Sequence, residues 1–224
     1  MEGRIIERPN WETAPLQGNL INHKHKMGYV FLPKCGGSSV CHYLQALDPN
    51  WEMTNDEMEM SNIQAFRQYP HYKIFSVIRH PVDWVLSGYR YFKHLNLTLD
   101  QHLDYALNPT KKIMQISGRS ERLTWGDWYN HCGVTPDIHL NDRVRVFKLE
   151  TEIPELRKYL GKIFPLAKYY DFPHINKTEP MEINLTKEQV EKILKLTWFY
   201  GQKYRYNFAP YISQFSDRQI ATSM

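Results

Sequence analysis

The sequence predicts an α/β fold whose central, mainly parallel sheet is covered by helices on both faces, and three observations carry that reading. Short apolar runs at 28–33 (GYVFLP), 72–78 (YKIFSVI) and 144–149 (VRVFKL) have the form of strands buried on both faces. Between and after them lie segments with apolar residues at i, i+3, i+4 and i+7, the helical period. Strands that alternate with helices are joined by crossovers, which makes the sheet parallel and places ligand sites at the carboxyl ends of its strands.

The elements follow in order. Residues 1–26 read as a polar, proline-containing arm, and 27–224 as a single domain starting near Met27. The first strand runs into a Gly36-Gly37 break, after which Val40, Tyr43, Leu44 and Leu47 define a helix over Ser38–Leu47, opened by its serines. The second strand leads through Arg79 and His80 to Pro81, a residue suited to the first turn of a helix, and Val82, Val85, Leu86, Tyr89 and Phe92 mark that helix's inward face. Residues 98–101 (TLDQ) form a capping box for a helix that turns Leu99, Leu103, Ala106 and Leu107 inward. His94 and His102 read as surface residues of these helices. The third strand precedes a short helix near 153–160. Residues 186–189 (TKEQ) cap a last helix with Val190, Ile193, Leu194, Thr197 and Trp198 on one face.

Composition excludes several classes. The 224 residues carry 28 Lys and Arg against 24 Asp and Glu, with 42% hydrophobic and 23% charged residues, which excludes global disorder. A net charge of +4 is far from the basic stripe of a nucleic-acid binder, but it suits an anionic small ligand. Cys35, Cys41 and Cys132 are too few and too scattered for a disulfide framework or a four-ligand zinc site, so a reducing compartment is expected. The ten histidines show no metal-ligand spacing. No run has the length of a signal peptide or of the roughly 20 residues of a membrane span, so a soluble, cytoplasmic protein is expected.

Residues 33–39 (PKCGGSS) sit where a phosphate-binding loop sits, between a strand and a helix. Glycines let backbone amides close on an anion, the helix end is electropositive, and Lys34, Ser38 and Ser39 add charge and hydroxyl donors. The loop is not a Walker A motif, because its lysine precedes both glycines. A plain strand-to-helix turn needs the same glycines. The second loop tips the balance: Arg79 ends a strand and Ser87 lies two turns into the next helix, so a guanidinium and a hydroxyl are available for a second phosphate.

PKCGGSS resembles the 5′-phosphosulfate loop of the sulfotransferase superfamily, and residues 77–92 (VIRHPVDWVLSGYRYF) resemble its 3′-phosphate motif, including the Arg-to-Ser spacing. VFKLE, HINKT and WFYGQKYRYNF resemble the corresponding strand, late loop and tyrosine-rich ending of the membrane-type, family 2-like carbohydrate sulfotransferases, so that the resemblance runs from Tyr29 to Phe208. It implies a P-loop NTPase-like three-layer α/β/α fold and a sulfotransferase that takes 3′-phosphoadenosine 5′-phosphosulfate (PAPS) as co-substrate and a hydroxyl, on a carbohydrate by analogy, as acceptor. By the same resemblance Lys34, Cys35, Gly36, Gly37, Ser38 and Ser39 surround the 5′-phosphosulfate, Arg79 and Ser87 hold the 3′-phosphate, and Lys177 adds a contact. Lys34 then neutralises the leaving phosphate oxygen, and no metal is required. Two departures stand out, Cys35 in place of the usual threonine and His80 in place of the acid after the arginine.

The acceptor side needs a general base, which this superfamily carries between the first helix and second strand. That interval holds Glu52, Asp56, Glu57, Glu59 and His71. Glu59, in EMSN, aligns with the relatives' histidine, and Asp56 is the next candidate. Trp125, Trp128 and Tyr129 suit either an acceptor wall or the core, and Lys111, Lys112, Arg119 and Arg122 either a basic rim or a solvated face. Two other readings remain at this level. A nucleotide-dependent kinase lacks its Gly-Lys-Ser/Thr, and a non-catalytic module would keep the nucleotide pocket without the base.

Overall fold

The structure is a computed structural model and describes residues 18–54, 66–91, 96–108, 140–175 and 184–215. In chain order its elements are β1 (Leu20–Asn22), β2 (Met27–Val30), α1 (Gly37–Leu47), β3 (Glu52–Met53), β4 (Lys73–Ile78), α2 (Pro81–Tyr91), α3 (Leu99–Leu107), β5 (Val144–Lys148), α4 (Ile153–Gly161), α5 (Lys187–Lys203) and α6 (Ala209–Ile212). Short 3-10 turns lie at Pro165–Lys168 and Ser213–Phe215. The chain packs as two compact units, one built from Met1–Ile78 and Leu140–Lys177, the other from Arg79–His139 and Thr178–Met224. Among the described residues no helix is long and apolar enough to cross a membrane.

The first unit carries a five-stranded sheet in the order β3-β1-β2-β4-β5. The three strands expected from the sequence, β2, β4 and β5, are parallel neighbours, with Val30 opposite Ser76 and Ser76 opposite Val146. Two pairings were not expected. β1 runs antiparallel to both β2 and β3, so the sheet is mixed rather than mainly parallel. Strand structure therefore begins at Leu20, inside the stretch that reads as an arm, and not near Met27. Three residues are too few to show a period, and the turn after them has no glycine: Lys26 itself takes φ 52°.

Met27 and Tyr29 of β2, Phe75 and Val77 of β4 and Phe147 of β5 face one side of the sheet and form a continuous core with Val40, Tyr43, Leu44 and Leu47 of α1 and with Leu156 and Leu160 of α4. The opposite side, Val30, Ile74, Ser76 and Ile78, is also buried, as the continuous apolar runs require. Position 28 falls on that side by strand alternation, and glycine fits there because a Cβ would stand 2.4 Å from the buried Phe66 ring.

Beside the turn that joins β1 to β2, Asp48 is buried among hydrogen-bond donors. Its Oδ2 accepts from Asn22 Nδ2 at 3.2 Å and lies 3.2 Å from His25 Nε2, while its Oδ1 accepts from the Asn50 N–H at 2.9 Å. Burial acts to raise the Asp48 carboxyl, but the Asn50 N–H, the Asn22 and Asn50 side chains and the charge of Lys24 outweigh it and hold it below its ordinary 3.8. A carboxylate lowered on folding stabilises above the unfolded value and loses that contribution as pH falls through the folded one. Asp48→Ala is therefore expected to cost about 3 kcal/mol at pH 7. In urea melts the gap between the variant and the parent should narrow below about pH 4, where the unfolded chain's carboxylate takes a proton, and go on narrowing until the folded one is protonated at lower pH.

In the second unit both expected capping boxes are present. Thr98 Oγ1 accepts from the Gln101 N–H at 3.2 Å and Gln101 Oε1 from the Thr98 N–H at 2.9 Å, and Thr186 and Gln189 repeat the pair at 3.2 and 3.0 Å. α5 packs on α3 through Lys192, whose Nζ lies 2.8 Å from Asp104 and 3.6 Å from Asp100. The buried stripe of α5 is Val190, Ile193, Thr197, Tyr200 and Gly201. Trp198, expected on that face, is 49% exposed, because it stands one residue past the stripe. His102 corrects the reading in the other direction. It is 1% exposed, packed edge-on against Tyr89 at 5.4 Å, and burial pushes its imidazole down to about 3.

Candidate functional site

The first candidate loop leaves the carboxyl end of β2. Phe31 and Leu32 lead into a turn over Pro33–Gly36, in which the Cys35 N–H donates to the Leu32 carbonyl at 3.3 Å. Gly36 caps α1 in the left-handed conformation, φ 77° and ψ 19°, and its carbonyl accepts from the Val40 N–H at 3.1 Å. The serines therefore do not open the helix as expected. Gly36 supplies the backbone conformation that a serine would enter only under strain, and Ser38 and Ser39 fall in the first turn.

Each glycine has a local reason. A Cβ on Gly36 would stand 3.0 Å from Leu149 Cδ1, and one on Gly37 would stand 2.2 Å from Phe31 Cε2. These contacts bring the backbone close to the strands and leave the first turn of α1, with N–H groups that an α-helix does not use itself, at the carboxyl edge of the sheet. Ser39 is buried, and its Oγ accepts from the Ile175 N–H at 3.0 Å, tying the loop to the late segment of the same unit. Lys34 takes φ 62°, the left-handed region that disfavours every residue with a Cβ.

Cys35 is 2% exposed, so its thiol belongs to the interior, whereas Lys34 and Ser38 are half-buried. Burial, then the neighbouring Cys41 and Cys35, push the Tyr29 phenol well above its ordinary value. Burial raises the Cys41 thiol to about 12 against the weak Sγ contact to the Gly18 carbonyl at 3.9 Å. Such a thiol is inert at neutral pH.

Arg79 directly follows β4, the parallel neighbour of β2, so the chain leaves both strands at the same edge of the sheet. In the second unit Arg79 is held by its backbone. Its N–H donates to the Tyr200 hydroxyl at 3.1 Å, and that hydroxyl donates to the Arg79 carbonyl at 2.6 Å. His80 takes the capping position of α2: its carbonyl accepts from the Trp84 N–H at 2.8 Å, and its Nδ1 from the Val82 N–H at 3.3 Å. Its Nε2 then donates to the Asn207 carbonyl at 3.2 Å, and its ring is boxed by Tyr206, Phe208 and Tyr211 at 5.0–5.5 Å. An aspartate here would cap the same helix with a carboxylate oxygen; the histidine does so with a ring nitrogen. Ser87 lies on the buried side of α2, 7% exposed.

Sequence reasoning missed Tyr200 and Asn207, whose only visible signal was the tyrosine-rich run at 198–208. Of the acceptor-side candidates, His71 is exposed and Glu52 pairs with His23 at 3.2 Å on the edge strand β3. Glu59, Asp56 and Glu57, together with Lys177, His94, Lys111, Lys112, Arg119, Arg122, Trp125, Trp128 and Tyr129, lie outside the described residues. Among the described residues no group of three or more His, Cys, Asp or Glu could hold a metal ion. Comparison with protein-family models, with curated proteins and with solved structures finds no match.

Proposed function

We propose that the chain is a sulfotransferase that moves a sulfuryl group from PAPS to an acceptor hydroxyl, with a carbohydrate as the acceptor class, on a P-loop-like α/β/α framework. One observation supports this most: two adjacent parallel strands each end in an anion-competent turn, a glycine-capped helix start with Lys34 after β2 and Arg79 after β4. In this reading Lys34, Gly36, Gly37, Ser38 and Ser39 bind the 5′-phosphosulfate, Arg79 and Ser87 the 3′-phosphate, and Lys177 adds charge. The acceptor oxygen attacks sulfur as the bond from sulfur to the phosphate oxygen breaks. Lys34 balances the charge left on that oxygen, adenosine 3′,5′-bisphosphate departs, and Glu59, or in its place Asp56, takes the acceptor proton.

Isothermal titration with adenosine 3′,5′-bisphosphate tests the nucleotide part. The unmodified chain should bind it, and Lys34→Ala and Arg79→Ala should each weaken binding by about tenfold or more, the worth of a charge-assisted phosphate contact. No binding, or binding that both variants leave intact, refutes the reading. Turnover of labelled PAPS over a glycan panel, with and without magnesium, then separates sulfuryl from phosphoryl transfer, since the latter depends on the ion.

A further inference from the structure

We infer that Tyr200 is the positioning residue of the Arg79 anion site, an inference that rests on the sulfotransferase reading above. The last ladder bond between β4 and the chain after β5 runs from the Leu149 N–H to the Ile78 carbonyl at 2.8 Å, so Arg79 is the first residue beyond the sheet. At that point a backbone ordinarily becomes free to rotate, and the direction of the next side chain is set by nothing in the ladder. Here one hydroxyl replaces the ladder on both sides of the residue. The Arg79 N–H lies in the peptide plane before its Cα and the carbonyl in the plane after it, so bonds of 3.1 and 2.6 Å to a single oxygen fix the two planes relative to each other. Fixing those planes fixes the Cα–Cβ direction and hence where the guanidinium starts.

The oxygen that does this belongs to a buried, packed side chain. Tyr200 is 2% exposed, sits in the 17-residue α5, and packs edge-on against Tyr204 at 5.5 Å and, tilted, against Tyr206 at 5.9 Å. The same stretch of chain holds His80 through the Asn207 carbonyl and the rings of Tyr206, Phe208 and Tyr211. Residues 200–211 thus fix two consecutive residues 121 to 131 positions earlier in sequence, Arg79 by its backbone and His80 by its ring. Arg79 can bind an oxyanion bidentately only if its fork arrives at the right angle, so a preset backbone removes an entropic cost from binding.

The test compares adenosine 3′,5′-bisphosphate with adenosine 5′-monophosphate by isothermal titration. The ratio of their affinities reports the 3′-phosphate alone. Tyr200→Phe, which removes only the hydroxyl, should weaken bisphosphate binding about five- to thirtyfold and leave monophosphate binding unchanged. Thr197→Val removes another buried hydroxyl of α5, one that donates to the Ile193 carbonyl at 2.8 Å, and should leave the ratio intact. In Arg79→Ala the further Tyr200→Phe change should cost nothing more, because Tyr200 acts through Arg79. A ratio that survives Tyr200→Phe, or that falls equally in Thr197→Val, overturns the inference and leaves the sulfotransferase reading standing. A parent protein with no preference for the 3′-phosphate overturns both.

Discussion

On the proposed sulfotransferase reading, Lys34→Gly is expected to lower sulfuryl transfer from PAPS by about 10²–10³-fold while leaving the stability of the protein nearly unchanged. The two halves of that expectation come from different properties of one residue. In the proposed reaction its ammonium balances the charge on the leaving phosphate oxygen, and losing a preorganised stabiliser of that kind removes several kcal/mol of transition-state stabilisation. Its backbone, at φ 62°, is where a residue with a Cβ pays about 1 kcal/mol and glycine pays none. Glycine costs a similar amount in unfolded-state entropy, so the two terms offset to within about 0.5 kcal/mol. Lys34→Ala keeps the strain and loses the charge, and should match the glycine variant in rate. Release of adenosine 3′,5′-bisphosphate in the presence of acceptor, measured beside a thermal melt, checks both halves. A glycine variant that turns over normally shows that the lysine charge is not used.

The parent protein is expected to lose stability steadily as pH falls below 6.5, and His102→Leu to remove most of that slope, the rest coming from His42, whose imidazole burial also lowers. The buried imidazole stays neutral down to about pH 3 in the folded chain, whereas the unfolded chain takes its proton near the ordinary 6.5. Between these values the unfolded state binds more protons, so stability rises with pH, at about 1.4 kcal/mol per pH unit. From pH 7 to pH 5 the loss amounts to about 2 kcal/mol. Leucine fits an apolar site beside Tyr89 and carries no proton, so its urea midpoint should move clearly less than the parent's over the same range. An equal slope in parent and variant excludes His102 as the cause. The window is distinct from that of Asp48, whose contribution changes only below about pH 4.

How much of this was legible depends on how local each feature is. The three parallel strands were visible because each is a continuous apolar run, and TLDQ and TKEQ announced their helices because a capping box is a four-residue interaction. β1 and β3, three and two residues long, are held by their neighbours and carry no period of their own. His102 was misread although its position is informative: Leu99, His102, Leu103 and Ala106 stand at i, i+3, i+4 and i+7, so helical geometry buries it whatever its polarity. The glycines of the first loop read as a turn, but Gly36 and not a serine caps the helix, because the cap takes φ 77° and Leu149 stands too close to it for a side chain. Nothing local links Arg79 to Tyr200. A hydroxyl that reaches a backbone 121 residues away has no period or motif to reveal it.

The alternation of the chain between its two units bears on how the protein is made. β4 pairs with β2 on one side as soon as residue 78 has emerged, but its other side waits for β5, and the 65 residues between Ile78 and Val144 must be synthesised first. At about 5–20 residues per second that leaves a central apolar strand with a bare hydrogen-bonding edge for several seconds on the ribosome. Neither unit is one continuous stretch, so neither can be expressed by cutting the gene at a single point. Misassembly during synthesis should therefore concentrate at the exposed edge of β4, which makes Lys73–Ile78 the segment where nascent chains are most prone to pair with one another.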